Sequence, residues 1–301
     1  MRRLTLATDA APLRLDKFLC EQIPGCSRRS AKELIAAGLV RIDGRRARKG
    51  QEVMPGSQVD VEEAPEESQQ LRPNPDLDVR ILYEDAVVIA VDKPAGMPTH
   101  ALRAGETETV ANFLLARYPE VAGLGGALEP GLVHRLDNDT SGVLLAARTP
   151  AGHASLRQQF ADHRVEKKYL ALVRGDIEQA ASIDAPIEHA GARRMRTAEP
   201  GSGRNAVTHY VPLRRLGSHT LLEVEMRTGV RHQIRVHLAA VGHPVAGDVL
   251  YDEEAEATIG RHLLHATSVT FVHPESGEKV TVRSELPEDF LAQVAAREGN
   301  R

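Results

Sequence analysis

Apolar residues near the start of the chain recur at the spacing of two short helices. Two segments, 15–19 and 31–35, place apolar side chains at positions i, i+3 and i+4, which form one face of a helix. Ser27 can cap the second helix, and Gly38 stands where that helix would end. The Asp-Gly pair at 43–44 is a hairpin-turn signal between two short extended segments. We therefore predict two helices and a small β structure in this region.

From residue 79 onward, strand-like and helix-like segments alternate without the regular strand–helix spacing of a parallel sheet. The β-rich segments lie at 79–83, 87–93, 167–175, 206–228, 266–274 and 279–284. A helix is predicted to start at Thr149-Pro150, a second spans 230–242, and a third follows the last β-rich segment. The pattern predicts the α+β class, with a mixed, mainly antiparallel sheet and a small α+β N-terminal domain.

The stretch between these two regions has the composition of a linker. Residues 64–78 are acidic, contain three prolines and have almost no large apolar side chain. A chain of 301 residues fits one large domain and one small domain. We therefore predict a small domain at 12–63, a linker at 64–78 and a larger domain at 79–301.

The overall composition excludes several classes of protein. Hydrophobic residues make up 42% and charged residues 27%, the balance of an ordinary soluble protein. No apolar run approaches the ~18 residues that span a bilayer, and Asp9 interrupts the first apolar stretch, so we expect neither a membrane span nor a secretory signal. Two cysteines, Cys20 and Cys26, cannot form a disulfide framework or a four-thiolate zinc site. We expect a cytoplasmic monomer.

The formal net charge of −4 conceals a local excess of positive charge. Residues 1–50 contain 12 Lys and Arg against 5 Asp and Glu, whereas residues 51–67 contain 6 acids and no base. Affinity for nucleic acid depends on such local basic surfaces and not on the total charge. The cations of the predicted second helix and hairpin are Arg28, Arg29, Lys32, Arg41, Arg45, Arg46, Arg48 and Lys49. A solvated basic face would have the same composition, but we favour a surface that contacts phosphates.

A polar loop between two apolar runs is the strongest candidate for chemistry. Residues 131–149 read GLVHRLDNDTSGVLLAART. Seven polar residues, at 134, 135 and 137–141, precede a strand-like run. One alternative is a turn in which Asp137 or Asn138 caps its own backbone. Another is a metal site formed by His134, Asp137 and Asp139, but Arg135 would repel a divalent ion. No phosphate-binding glycine motif is present, and we predict no metal site.

Within this loop, HRLDNDTSG resembles the catalytic signature of the RluA-type RNA pseudouridine synthases. Four further blocks agree with that family in order and spacing, at 88–100, 167–175, 227–251 and 262–274. The N-terminal segments RLDKFL, SRRSAKELIAAGLVRIDG and PGSQVDV resemble the alpha-L RNA-binding domain named after a small-subunit ribosomal protein. The two resemblances together cover nearly the whole chain.

The resemblance implies a pseudouridine synthase fold and the isomerisation of uridine within RNA, without a metal, nucleotide or redox cofactor. The base is detached at its ring nitrogen, turned over and rejoined through carbon five. The uridine must leave the stack, and breaking the glycosidic bond needs a carboxylate anion near the anomeric carbon. Asp137 matches the family's catalytic aspartate; attack on the sugar and removal of a ribose proton both stay open.

The resemblance assigns roles to three further residues. Arg235 matches the arginine that pairs with the catalytic aspartate, and Tyr169 matches the tyrosine that packs on the target base and helps to remove its carbon-five proton. Arg135 resembles the arginine that fills the gap left by the flipped nucleotide. The family often reads TGRTHQIR, whereas this chain has Val230 at the first arginine position and Arg231 one place later. We take Arg231 as a candidate RNA contact.

The RNA partner predicted from the N-terminal resemblance is large-subunit ribosomal RNA, and transfer RNA is the alternative. The candidate RNA-binding residues of that domain are Arg28, Arg29, Lys32, Arg41, Arg45 and Arg46. Two other functions fit parts of the sequence. The first is a non-catalytic RNA-binding factor for ribosome assembly, and the second is a metal-dependent phosphohydrolase that uses the polar loop.

Overall fold

The chain divides into two compact units, residues 1–70 and 71–301. The computed structural model describes residues 2–5, 11–23, 26, 28–62, 71–103 and 105–298. No helix within these ranges is both long enough and apolar enough to cross a lipid bilayer. Ser27, the predicted helix cap, lies outside the described residues.

The described residues of the first unit form two helices and two small sheets. Its elements are β1 (Arg2–Thr5), β2 (Leu13–Arg14), α1 (Leu15–Gln22), α2 (Arg28–Ala37), β3 (Val40–Ile42), β4 (Arg45–Arg46), β5 (Glu52–Val53) and β6 (Gln58–Val61). The strand order is β1-β6-β3-β4 in one sheet, and β2 pairs with β5 in the other. Nothing in the hydrophobic pattern predicts β1, which precedes the predicted domain start at residue 12 and pairs with β6.

Both predicted helices of this unit are present, and their apolar faces form its core. Leu15, Phe18 and Leu19 of α1 are buried with Ala31 and Ile35 of α2. The predicted hairpin turn at 43–44 joins β3 to β4, with positive φ angles of 49° and 78° at its two residues. Two consecutive left-handed residues are what a tight hairpin turn requires, which explains the Asp-Gly pair.

The second unit is built on a nine-stranded sheet of order β11-β14-β15-β10-β16-β9-β8-β7, with β17 also paired to β16. Its strands are β7 (Arg80–Glu84), β8 (Val88–Lys93), β9 (Ser141–Ala147), β10 (Glu166–Arg174), β11 (Ala181–Asp184), β14 (Val207–Leu216), β15 (His219–Met226), β16 (Leu264–Val272) and β17 (Lys279–Arg283). Within the described part of this sheet, β9 and β16 are the single parallel pair. The predicted α+β class with a mixed, mainly antiparallel sheet is confirmed.

The described part of the second unit also contains four α-helices, two short 3-10 helices (Pro119–Val121 and Ala257–Ile259) and a separate hairpin. The α-helices are α3 (Val110–Arg117), α4 (Pro150–Ala161), α5 (Gln233–Ala240) and α6 (Glu288–Glu298), and the hairpin pairs β12 (Ile187–Ala190) with β13 (Arg194–Thr197). Thr149 caps α4 as its sequence predicts, because its hydroxyl accepts a hydrogen bond from the backbone N–H of Gly152. Ile234 and Leu238 of α5 belong to the same buried cluster as the β10 side chain of Tyr169. This packing places α5 beside β10 of the sheet.

Residues 71–78, which we predicted to be part of the linker, lie in the second unit. Leu71 is buried in its core, and the side-chain amide of Asn74 donates a hydrogen bond of 3.0 Å to the carbonyl of Thr107. The domain boundaries themselves stay predictions, because residues 63–70 lie outside the described ranges.

Candidate active site

The polar loop at 134–140 is held in place by its own backbone and by buried neighbours. The hydroxyl of Thr99 donates to the carbonyl of Leu136 (2.9 Å) and accepts from its N–H (3.2 Å). The ring of His134 stacks on Phe160, and its Nε2 accepts a hydrogen bond of 2.8 Å from the N–H of Leu145. These contacts fix the loop on the N-terminal side of Asp137.

A buried lysine ties this loop to the end of β8. The Nζ atom of Lys93 donates hydrogen bonds to three carbonyl oxygens, those of Pro94 (2.9 Å), Met97 (2.7 Å) and Asn138 (2.7 Å). Lys93 is fully buried, and burial lowers the pKa of its amine to about 7 against the opposing effect of Asp139 and Asp137. Because it links two segments around Asp137, Lys93 positions the loop.

The carboxylate of Asp137 meets the guanidinium of Arg235, which projects from α5. Nη1 of Arg235 lies 2.9 Å from Oδ2 of Asp137. The other side of the guanidinium binds Asp248, with Nε at 2.6 Å from Oδ2 and Nη2 at 2.8 Å from Oδ1. Arg235 is 6% exposed and Asp248 1% exposed, so this two-point contact is shielded from water. Asp248 therefore holds the guanidinium in the orientation that reaches Asp137.

The electrostatics of the site keep Asp137 ionised. Burial raises the pKa of its carboxyl, but His232, Arg235 and His262 lower it by more, so the pKa lies below its ordinary value. Burial in turn lowers the pKa of His232 to about 4 and that of His262 to about 3. Both imidazoles are therefore neutral at pH 7, and Arg235 is the charge that stabilises the carboxylate there.

His232 and Tyr251 form a hydrogen-bonded pair behind the guanidinium. His232 begins α5 with a left-handed backbone (φ 57°), and its Nε2 lies 4.0 Å from Oδ1 of Asp137. Its Nδ1 lies 2.8 Å from the hydroxyl of Tyr251, whose ring faces the Arg235 guanidinium at 5.1 Å. Nε of Arg231 donates to Nε2 of His232 at 3.4 Å.

An open cleft of about 360 Å³ adjoins these groups. It is lined by Asp137, Tyr169 and Arg235, together with the exposed side chain of Arg135. Burial, and then the charge of Asp137, raise the pKa of the Tyr169 hydroxyl, so it stays protonated at neutral pH. The cleft thus brings together four residues that the sequence singled out.

Arg231, the other predicted RNA-binding residue of the second unit, is not among the residues that line this cleft. Arg231 donates to the carbonyls of Ala192 (3.4 Å) and Arg193 (3.2 Å). In the first unit, the exposed cations on α2, β3 and β4 are Arg28, Lys32, Arg41, Arg45 and Arg46. The side chain of Arg29 is not among those described. The structure tests none of these RNA contacts, which stay predictions.

Two alternative interpretations of the polar loop are disfavoured by its contacts. Nε2 of His134 is occupied by the N–H of Leu145, and the described residues contain no group of three potential metal ligands. The carboxylate of Asp137 binds Arg235 and does not cap its own backbone. Neither a metal site nor a simple capping turn accounts for this arrangement.

Sequence reasoning missed several residues of the site. Lys93, His232, Asp248 and Tyr251 all lie in blocks that carry the family resemblance, yet none was singled out. Lys93 ends the strand-like run VVIAVDK, whose other charged residue is Asp92, and it was the one local signal, because an unpaired lysine is rarely buried. The partners of the other three come from segments distant in the sequence, so no local pattern marked them.

Comparisons with known proteins agree with this geometry. A family model described as RNA pseudouridylate synthase matches residues 87–240, and an S4 domain model matches residues 13–59. The "Ribosomal large subunit pseudouridine synthase D" of Xanthomonas campestris is 36% identical over 309 residues, which cover 98% of this chain and 92% of that protein. The "Uncharacterized RNA pseudouridine synthase YlyB" of Bacillus subtilis is 36% identical over 288 residues, 95% of each chain.

A solved structure shows the same fold. "Human RNA Pseudouridylate Synthase Domain Containing 4" superposes with a TM-score of 0.59 at 25% identity, over 73% of this chain and 93% of that one. The family model covers just over half of the chain, and the relatives extend over nearly all of it. The predicted resemblances are confirmed: this chain belongs to the RNA pseudouridine synthase family, of the RluA type, with an S4 domain in its N-terminal unit.

Proposed function

We propose that this synthase converts specific uridines of large-subunit ribosomal RNA to pseudouridine, with Asp137 as the catalytic carboxylate. The observation that carries the proposal is the 2.9 Å ion pair between Asp137 and Arg235 beside the cleft. The choice of RNA is supported by the names of the relatives from Xanthomonas campestris, Zymomonas mobilis and Pseudomonas aeruginosa, each a ribosomal large subunit pseudouridine synthase D.

The reaction needs an anion at the sugar. The bond between N1 of the base and C1′ of the ribose breaks, and a bond between C5 and C1′ forms. The proton on C5 leaves and N1 gains one, so atoms balance without a co-reactant. Positive charge develops at C1′ as the first bond breaks, and a carboxylate stabilises it. Asp137 supplies that anion, whether it attacks C1′ or removes a ribose proton.

The same carboxylate has one oxygen available for this task. Oδ2 accepts a hydrogen bond from Arg235, whereas Oδ1 accepts none from the residues that the structure describes. The Asp137 side chain is 18% exposed, which supports access from the cleft. Arg235 thus keeps the group ionised and oriented, and Oδ1 is the atom that reaches the sugar.

Uridine reaches such a site by leaving its base stack. The Asp137 carboxylate is mostly buried beside the cleft, so the sugar of a uridine can approach it only when the nucleotide leaves its stack. Arg135 lines this cleft with an exposed side chain, so it can occupy the space that the flipped nucleotide leaves. Tyr169 packs on the base and assists removal of the C5 proton through its hydroxyl. Because burial raises the pKa of that hydroxyl, it acts as a neutral phenol.

The direct test is the Asp137→Asn variant of the full chain. The probe is an unmodified large-subunit ribosomal RNA transcript labelled with tritium at C5 of uridine. The wild type releases tritium, whereas the variant binds the transcript with similar affinity and releases none. Near-normal turnover by the variant would remove Asp137 from the mechanism. Asp139→Asn is the matched control, since it changes a neighbouring carboxylate outside the cleft lining and should remain active.

A separate assay with transfer RNA transcripts tests the choice of substrate. Tritium release from transfer RNA transcripts alone would contradict the assignment to ribosomal RNA while leaving the catalytic role of Asp137 intact. The contribution of the S4 domain is tested in the full chain by changing Arg41, Arg45 and Arg46 to alanine. We expect weaker binding of ribosomal RNA and a shallower salt dependence, because phosphate contacts release counterions.

A further inference from the structure

The hairpin formed by β12 and β13 carries a cluster of arginines beside the active site. Arg193 and Arg194 lie at its turn and the start of β13, and both are exposed. Arg196 is paired with Glu188 across the hairpin at 2.7 Å. Within the described part of the chain, neither Arg193 nor Arg194 forms an ion pair with a carboxylate. These two guanidinium groups therefore have their charge available for a ligand.

The hairpin turn is fastened to the start of α5. Nη1 and Nη2 of Arg231 donate to the carbonyl oxygens of Ala192 (3.4 Å) and Arg193 (3.2 Å). The same guanidinium reaches His232 through its Nε at 3.4 Å. One arginine thus joins the turn of the hairpin to the residue that lies 4.0 Å from Asp137.

Tyr251 makes a second connection. Its hydroxyl accepts a hydrogen bond of 2.9 Å from the N–H of Met195 and lies 2.8 Å from Nδ1 of His232. Its ring lies 5.7 Å from the guanidinium of Arg194 and 5.1 Å from that of Arg235. The tyrosine is therefore shared between the hairpin and the active site.

The base of the hairpin is anchored by the residue at which this chain departs from the common family pattern. Val230 stands where TGRTHQIR has its first arginine, and it is buried with Ile187 and Met195 of the hairpin in one apolar cluster. A guanidinium at this position would be poorly solvated among those side chains. In this chain an apolar anchor replaces it, and the next residue, Arg231, holds the turn.

We propose that this hairpin is a preorganised clamp for the RNA strand adjoining the flipped uridine, with Arg193 and Arg194 as its phosphate contacts. Val230 and Arg231 are positioning residues that fix the hairpin. The inference rests on the proposed function, since the cleft beside the hairpin takes a nucleotide of an RNA chain. The phosphates flanking that nucleotide must pass close to the rim of the site. Guanidinium groups without carboxylate partners match their charge and geometry.

The test compares full-length variants on the tritium-labelled ribosomal RNA transcript. The double variant Arg193→Ala/Arg194→Ala should raise KM about tenfold and leave kcat within about twofold. Its slope of log binding constant against log salt should be shallower by about 1.4, or about 0.7 for each phosphate that the protein no longer neutralises. The conservative Arg193→Lys/Arg194→Lys variant should restore most of the affinity, because a phosphate contact needs the charge.

The control is Arg283→Ala, which removes an exposed arginine from β17, a strand that contributes no residue to the described cleft lining. If the wild type is active and the double variant matches this control in KM and salt slope, the clamp is refuted while the proposed function stands. If the wild type forms no pseudouridine, the proposed function fails by itself, and the binding measurements still decide whether the hairpin contacts RNA.

The role of Arg231 is tested by a double-mutant cycle. Arg231→Met should raise KM in the wild-type background. It should have little further effect in the Arg193→Ala/Arg194→Ala background if it acts only through the hairpin. Additive effects on KM would show instead that Arg231 contacts the RNA itself, which would overturn its assignment as a positioning residue.

Discussion

The buried carboxylate of Asp248 accepts two hydrogen bonds from the guanidinium of Arg235, from Nε at 2.6 Å and from Nη2 at 2.8 Å. The third nitrogen, Nη1, donates to Asp137. The planar guanidinium fork suits such two-point binding, and this contact fixes its direction in space. Asp137 therefore depends on Asp248 for the orientation of the guanidinium that keeps it ionised. This relationship makes Asp248 a positioning residue for the proposed reaction.

Changing Asp248 to Asn should reduce kcat by about a hundredfold with little change in KM. The amide keeps the shape of the carboxylate but loses its charge and one acceptor, so the guanidinium is free to tilt. Small misplacement of catalytic groups has effects of about this size. Steady-state tritium release measures it, and a change confined to KM would contradict the positioning role.

Changing Arg235 to Gln should move the acidic limb of the kcat/KM profile to higher pH. Arg235 lowers the pKa of Asp137, so its removal raises that pKa, and activity is lost at a higher pH as the solution is acidified. The buried carboxylate of Asp248 and the partly exposed carboxylate of Asp137 would also lose their cation, which costs about 3–5 kcal/mol of stability. Arg235→Lys is the matched variant, because it keeps the charge and should leave the limb nearer its original position.

Changing Lys93 to Met should destabilise the second unit by about 3 kcal/mol and lower kcat. Methionine fills a similar volume, but three part-buried carbonyl oxygens lose their hydrogen-bond donor. Urea unfolding measures the free energy. Lys279→Met changes an exposed lysine and should alter it by less than about 0.5 kcal/mol. Equal effects of the two substitutions would show that the Lys93 contacts do not stabilise the fold.

Changing His262 to Gln should make the free energy of unfolding less dependent on pH in acid. Burial lowers the pKa of His262 to about 3 from its ordinary value of 6.5, so between these pH values the unfolded chain binds a proton that the folded chain does not. The contribution of the neutral His262 imidazole to the free energy of unfolding is present near pH 7. It is lost as the pH falls from 6.5 to about 3.

Removing the imidazole should reduce the slope of the unfolding free energy by about 1.4 kcal/mol per pH unit between pH 4 and 6. Denaturant unfolding at several pH values measures this slope. Gln can still hydrogen-bond the hydroxyl of Thr140, which lies 2.8 Å from the imidazole. The exposed His189→Gln variant should leave the slope unchanged, and an unchanged slope in His262→Gln would contradict the prediction.

Much of the secondary structure could be predicted from the sequence because its signals are local. The periodicity at 15–19 predicts the buried face of α1, the Asp-Gly pair predicts the turn of β3 and β4, and Thr149 with Pro150 predicts the start of α4. β1 was missed because a four-residue strand has no periodicity long enough to recognise. The hairpin of β12 and β13 was missed for the same reason.

The sequence by itself determined which residue types are available for the chemistry, and family resemblance identified Asp137, Tyr169 and Arg235 among them. The resemblance also predicted that Arg235 pairs with Asp137, and the tertiary structure places these two side chains, 98 positions apart in the chain, 2.9 Å from each other. Only the tertiary structure brought in Asp248, Tyr251, Lys93 and the arginines of the hairpin. The physical reason is the distance along the chain over which each interaction acts. Turn chemistry and hydrophobic periodicity depend on residues that are only a few positions apart. Burial, ion pairing and the pKa of a carboxylate depend on side chains that only the folded chain brings into contact.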